Sequence, residues 1–241
     1  MATAQGPPRS RPLALVTGGS RGLGRALTAE LARRGWEVVI DGRDAAALAA
    51  TAAQLGDTVT AIAGDIADPA HRRRLAEVIA PRGGLDLVVN NASLLGPSPQ
   101  PRLADYPLAE LERVYAVNTF APLALLQLLL PHLVGHGGQV INISSDAAVE
   151  AYEGWGGYGS SKAALDHLTA VLAAEHPGML VYAFDPGDMR TDMQQEAFPG
   201  EDISDRPAPE SVVPALMGLI DRRPASGRYR AGDLAVATVR R

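Results

Sequence analysis

At 241 residues, 46% of them hydrophobic and 20% charged, the chain has the size and balance of an ordinary globule, which excludes global disorder and leaves enough apolar side chain for a large core. A formal net charge of -5 argues against a general nucleic-acid binder, because phosphate neutralisation needs concentrated Lys and Arg. With no cysteine there is no disulfide framework, no thiolate metal cluster and no cysteine nucleophile, and no metal site is expected.

The elements follow in chain order. Residues 1–12 read as a disordered Gly/Pro/Arg/Ser leader without the apolar core of a secretory signal, and 13–241 as one domain. Strand Leu13–Val16, helix 26–34, strand 38–40, helix 45–54 and strand Val59–Ala63 form a βαβαβ run, which implies a parallel sheet. A helix near 69–80 follows, its Arg72-Arg73-Arg74 run reading as a solvated face, then a strand at 85–89 and a long helix near 108–133. Strand Gln139–Ile143, a helix over 158–175 and strands at 179–184 and 226–230 complete the series. Several strands are almost continuously apolar, as strands covered on both faces must be. The fold class is therefore α/β: a doubly wound, Rossmann-like parallel sheet with helices on both faces. The Pro-punctuated loops 95–101 and 188–209 both follow strands, so they belong above the carboxyl ends of the sheet, where such folds bind ligands. They are the expected walls of a substrate pocket. No apolar run reaches the roughly 18 residues of a membrane span, and a cytoplasmic protein is expected.

The first strand runs into Thr17-Gly18-Gly19-Ser20-Arg21-Gly22-Leu23-Gly24 and then directly into a helix. Glycine there allows a tight turn and lets backbone N–H groups approach a pyrophosphate at the positive end of the helix dipole. Two other motifs share these residues. Gly18-Gly19-Ser20-Arg21-Gly22 satisfies the G-x-S-x-G pattern of a hydrolase nucleophile elbow, although no convincing Asp/His pair follows. The spacing Gly19 to Gly24 also suits a P-loop, but Arg25-Ala26 stands where Lys and Ser/Thr are required.

At Tyr158-Gly-Ser-Ser-Lys162, a phenol and an ammonium lie one turn apart on one helix face. A phenol titrating near pH ~10 is a sluggish acid or base at neutral pH, and an adjacent cation brings it toward the working range. Ser145 ends the preceding strand, and Asn118 lies within the long helix.

The set Asn118, Ser145, Tyr158 and Lys162, with the Thr17-to-Gly24 turn and Asn90-Asn91-Ala92, resembles the short-chain dehydrogenase/reductase family over about 13–191. The resemblance implies that Tyr158 is the general acid/base at the carbonyl or alcohol oxygen and that Ser145 bonds that same oxygen. It implies that Lys162 lowers the tyrosine pKa and holds the nicotinamide ribose. Asn118, through its backbone at a helix irregularity, would position water in a relay toward Lys162. Asp65 and Ile66 fall where the family meets adenine, and Asn91 and Ala92 line the adenosine side of the groove. Pro186, Gly187, Met189 and Thr191 match the segment that clamps the nicotinamide carboxamide.

Dinucleotide choice belongs to the end of the second strand, where an acid would grip the ribose of NAD and repel a 2′-phosphate. That position counts to Gly42; Arg43 follows, and Arg21 sits in the glycine turn, so NADP(H) is favoured over NAD(H). Asp41 leaves an alternative: a strand ending one residue earlier would turn its carboxylate onto the ribose and favour NAD. Ser93 stands where the family usually has glycine after Asn-Asn-Ala, adding a hydroxyl close to the expected nicotinamide and substrate region, and Asp146 follows Ser145 where a small or apolar residue is commoner, as a substrate contact or a solvated loop residue. The segment 231–241 lacks the family's glycine-containing ending, which puts a tetramer in doubt and leaves a homodimer through the long helix and the Tyr158 helix.

The expected activity is NADP(H)-dependent interconversion of a small-molecule carbonyl and its alcohol, with Tyr152, Trp155 and Phe198 as apolar substrate contacts. The alternatives are a dinucleotide-binding sensor or scaffold without redox chemistry, and a serine hydrolase using Ser20.

Overall fold

A computed structural model describes residues 11–234. The leader assigned to 1–12 therefore lies, except for Arg11 and Pro12, outside the described residues, as does most of the segment 231–241. Seven parallel strands form one sheet in the order β3-β2-β1-β4-β5-β6-β7. They are β1 (Leu13–Val16), β2 (Glu37–Gly42), β3 (Val59–Ala63), β4 (Leu87–Asn90), β5 (Gln139–Ile143), β6 (Leu180–Asp185) and β7 (Gly227–Arg230). The chain reverses its direction of travel between β1 and β4, and that switch opens a crevice at their carboxyl ends.

The strands are apolar along their whole length because alternate residues serve two cores. Val16, Ile40, Val89, Ile141 and Phe184 face one layer, formed by α1 (Gly22–Arg33), α2 (Ala45–Leu55) and α8 (Val213–Arg222). Leu15, Val39, Val88, Val140 and Val181 face the other, covered by α3 (Pro69–Ile79), α5 (Ala121–Val134) and α6 (Gly156–Glu175).

Three features differ from the sequence reading. The long helix is two helices, α4 (Leu108–Tyr115) and α5, joined by a wide π-turn over Ala116–Phe120 that carries Asn118. The continuous stretch Leu108–Val134 is long and apolar enough to cross a membrane by length and composition alone, yet Leu125, Leu129 and Leu133 are completely buried against the sheet. The 188–209 loop carries a short helix, α7 (Asp192–Ala197), capped by Thr191. Finally, α8 occupies residues to which the sequence reading assigned no element; its Val213, Leu216, Met217 and Ile220 are buried at helical spacing.

Leu216→Ala, at a side chain with no exposed surface, is expected to lower the unfolding free energy by about 2–5 kcal/mol in urea titration.

Candidate active site

The crevice is a cleft of about 640 Å³ bordered at one end by the glycine turn and at the other by Tyr158. Gly18 (φ +68°) and Gly22 (φ +54°) take left-handed backbone that side chains resist. A Cβ on Gly24 would run into the Gly18 carbonyl and the Asn91 amide. The turn is laced to β4: the Thr17 hydroxyl accepts from the backbone N–H of Asn91 (2.9 Å) and Ala92 (3.0 Å), and Asn91 Nδ2 donates to the carbonyls of Thr17 (2.9 Å) and Gly18 (3.2 Å). Whereas Asp44 and Asp68 cap α2 and α3, α1 has no side-chain cap and no acid in its first turn. Its free N–H groups and positive dipole end face the cleft, which is the donor set a pyrophosphate fits.

Gly18, Ser20, Arg21, Gly22, Leu23, Arg43, Asp65, Ile66, Asn91, Ala92, Pro186, Gly187, Met189 and Thr191 all border this cleft, whereas Gly24, grouped with them in the sequence, lies behind it against the Gly18 carbonyl and the Asn91 amide. β2 runs through to Gly42, where a Cβ would meet Ser20 Oγ at 3.3 Å and Leu48 at 3.4 Å. Asp41 does not point its carboxylate into open space. Its Oδ1 accepts from Gly18 N (2.8 Å), and its Oδ2 lies 3.1 Å from Nε2 of buried His71. Arg21 reaches across the mouth to Asp192 at the start of α7 (2.8 Å), with both side chains largely exposed. The elbow reading of Ser20 fails on geometry: the positive φ angles of the turn belong to Gly18 and Gly22, and among the described residues only Arg223 has one without being glycine.

At the other end, β5 delivers Ser145, the π-turn delivers Asn118, and α6 presents Tyr158 and Lys162 on one face. Asn118 is completely buried; Oδ1 accepts from Leu94 N (2.8 Å) and Ser93 Oγ (3.2 Å), while Nδ2 donates to Leu94 O (2.9 Å) and Ser161 Oγ (3.0 Å). Lys162 Nζ donates to the Ile143 carbonyl (2.8 Å) and sits 5.5 Å from the centre of the Tyr158 ring. Burial brings the Lys162 ammonium down to about 8, with Asp166 opposing. Burial also dominates at Tyr158, pushing the phenol up to about 12; a hydrogen bond with Ser93 pulls it down, and Asp146 and Asp185 push it further up. The lowering expected from Lys162 does not figure among these influences; its ammonium lies against the ring and is held by a carbonyl. Ser145 Oγ donates to Asp146 Oδ1 (2.9 Å) and accepts from Ala147 N (3.2 Å).

The apolar wall needs correction. Trp155 borders the cleft, but Phe198 packs behind it with ring centres 6.0 Å apart. Tyr152 is turned outward, its hydroxyl donating to Glu150 (2.7 Å) and Asp146 (3.2 Å), which raises its pKa. Leu95, Met193 and Ala197 complete the wall. The sequence reading also missed Arg228. From β7 it donates to Asp166 on α6 (3.1 Å), to buried Asp185 (3.1 Å) and to the Ser145 carbonyl (2.9 Å), while Asp185 in turn accepts from Gly187 N (3.0 Å). One guanidinium thereby ties the serine strand, the tyrosine helix and the turn after β6.

Comparison with known proteins agrees with this architecture. The family described as short chain dehydrogenase matches residues 12–202. Mouse (Mus musculus) sepiapterin reductase is 37% identical over 199 residues, covering 76% of this chain and 76% of that protein. The (S)-benzoin-forming benzil reductase of Saccharomyces cerevisiae is 33% identical over 213 residues, covering 84% and 79%. A short chain dehydrogenase of Escherichia coli CFT073, solved in complex with NADPH, superposes with a TM-score of 0.85 at 30% identity, covering 91% of this chain and 96% of that one.

Among the described residues, removing Arg228 leaves Asp185 with Arg230, 3.5 Å away, as its remaining cationic partner. Because Arg228 is partly exposed and Arg230 remains near Asp185, Arg228→Ala is expected to lower the unfolding free energy by about 1–2 kcal/mol in denaturant titration.

Proposed function

Because the chain belongs to the short chain dehydrogenase family, we propose that it is an NADP(H)-dependent oxidoreductase that interconverts a ketone or aldehyde and its alcohol. The observation that carries this reading is the convergence of Ser145, Tyr158 and Lys162 at one end of the cleft that the glycine turn borders at the other, with buried Asn118 behind them. A bound nicotinamide dinucleotide supplies or accepts the hydride. The chain's own residues handle the proton. In the reductive direction the Tyr158 O–H breaks as the substrate oxygen gains its proton, and Ser145 holds that oxygen in place. Lys162 anchors the nicotinamide ribose and offers a cation against the phenolate. Buried in the π-turn behind the cleft, Asn118 would use its backbone to position water in a relay that resupplies the proton toward Lys162. At the cofactor, Asp65 and Ile66 border the adenine end, and Pro186, Gly187, Met189 and Thr191 the nicotinamide end. The wall of Leu95, Trp155, Met193 and Ala197 supports a substrate whose carbonyl carries an apolar substituent.

The preference for the phosphorylated cofactor is supported by three features: Gly42 lacks a side chain, Arg21 and Arg43 border the same end of the cleft, and Asp41 is engaged by Gly18 and His71. NADP and NADPH also accompany structurally similar proteins. We place the protein in the cytoplasm as one catalytic domain that forms homodimers. The exposed apolar side chains Phe120, Leu128 and Val134 along the π-turn and α5, with Val171 on α6, support pairing through these helices.

Tyr158→Phe is expected to reduce turnover by about 100-fold or more in an NADPH-oxidation assay over a ketone panel, while NADPH still quenches intrinsic fluorescence. Retained turnover refutes the role of the phenol. Arg43→Ala is expected to raise KM for NADPH about tenfold and leave that for NADH unchanged, the size of one lost charge-assisted hydrogen bond. A wild-type preference for NADH would overturn the cofactor assignment.

A further inference from the structure

We infer that His71, which does not border the cleft, is a specificity-determining residue for the cofactor: it holds the Asp41 carboxylate turned inward, away from the ribose 2′-phosphate. The inference rests on the reading of the site as one for NADP(H). Asp41 is next to last in β2, one residue before the position that reads the ribose, and it borders the cleft together with Gly42 and Arg43. An acid at the end of this strand ordinarily draws the unphosphorylated ribose and repels the phosphate. Here both carboxylate oxygens are engaged on the protein side. Oδ1 accepts from Gly18 N (2.8 Å), Oδ2 lies 3.1 Å from His71 Nε2, and the residue is only 1% exposed. An ionised carboxylate can only accept, so the proton between the two side chains belongs to the imidazole.

The imidazole is placed by local means. Asp68 caps α3 by accepting from Ala70 N (2.8 Å), Pro69 opens the first turn, and His71 follows with its side chain buried. Its ring lies over Gly64, just past β3, where a Cβ would collide with Nδ1. Gly64 N donates in turn to the Gly42 carbonyl at the end of β2 (3.0 Å). Ring, glycine and strand end thus pack as one unit, and the missing side chain at residue 64 makes the room that the imidazole fills.

Without the Nε2 donor, Oδ2 is buried with no partner, which is a costly state for a charged oxygen. Rotation toward the cleft that Asp41 already borders relieves it. There the carboxylate accepts from the ribose hydroxyls of NAD(H), repels a 2′-phosphate and competes with it for Arg21 and Arg43. Loss of His71 therefore separates the two cofactors: the phosphorylated one binds worse and the other as well or better. Loss of a residue that only supports the fold weakens both alike.

The test is titration of the purified protein with NADPH and with NADH, without substrate, each dissociation constant read from the fluorescence of the bound cofactor. His71→Leu is expected to weaken NADPH binding about tenfold and to leave NADH binding unchanged or tighter, the size of one charge contact at a hydrated site. His71→Phe, which keeps a ring over Gly64 but offers no donor, carries the same expectation if the leucine variant does not fold. His71→Gln, whose amide N–H takes the place of Nε2, is expected to keep the wild-type ratio of the two constants. Adding Asp41→Asn to His71→Leu is expected to restore that ratio, because the released charge is gone. Equal weakening of both cofactors, an unchanged ratio in the leucine and phenylalanine variants, or a ratio that Asp41→Asn does not restore overturns the inference. Failure of the underlying cofactor reading shows separately, as tighter binding of NADH than of NADPH by the wild-type protein.

Discussion

The edge of the cleft that carries Tyr158 hangs from one buried amide. Asn118 uses both lone pairs of its oxygen and both protons of its nitrogen, on Leu94, Ser93 and Ser161. A buried primary amide left short of partners is costly, so this arrangement admits very few alternatives. Through it the loop after β4 is fixed to α6 at Ser161, between Tyr158 and Lys162 on the chain. The π-turn makes the contact geometrically available, since a regular helix from Leu108 to Val134 would carry residue 118 at a different angle. Local irregularity in one helix thus sets the distance between the phenol and the loop that faces it.

The cofactor end is organised by the opposite device, donors left without partners. Asn91 and Thr17 lock the outer backbone of the glycine turn, and Asp41 takes up one inward N–H, yet α1 begins with no side chain over its first N–H groups. Rigidity behind the turn and free donors in front of it belong together. A loose turn would have to be ordered by the ligand at an entropic cost. His71 extends the same bracing from α3, holding the Asp41 carboxylate that accepts from the glycine turn.

What the sequence disclosed and what it concealed divide along contact range. The turn from Thr17 to Gly24 and the Tyr158–Lys162 pair are local, and their geometry follows from turn chemistry and helix pitch. The same holds for the strands, whose unbroken apolar runs betray burial on both faces. Arg228 was not legible, because its partners on β6, α6 and the end of β5 meet it only through the β6–β7 register that pairs Ala183 with Arg228. For α8 the signal existed. Val213, Leu216, Met217 and Ile220 recur at helical spacing, and Pro214 sits in the first turn, where its missing N–H costs nothing. Neighbouring prolines at 207 and 209 gave that stretch the look of a loop. The direction of the Asp41 carboxylate depended on a histidine thirty positions away, beyond any local pattern.

The close approach of Gly42 to Ser20 bears on how this protein's cofactor preference is open to redesign. Grafting an acid onto the end of β2 is the simplest way to recruit the unphosphorylated dinucleotide. Here the graft introduces a Cβ 3.3 Å from the Ser20 hydroxyl, so the new side chain and the glycine turn compete for the same space. The Ser20 hydroxyl must give way by a few tenths of an ångström, and a change of its rotamer lets the turn keep its shape. Substitutions at the end of β2 are therefore coupled to the conformation of Ser20 in the turn that faces them.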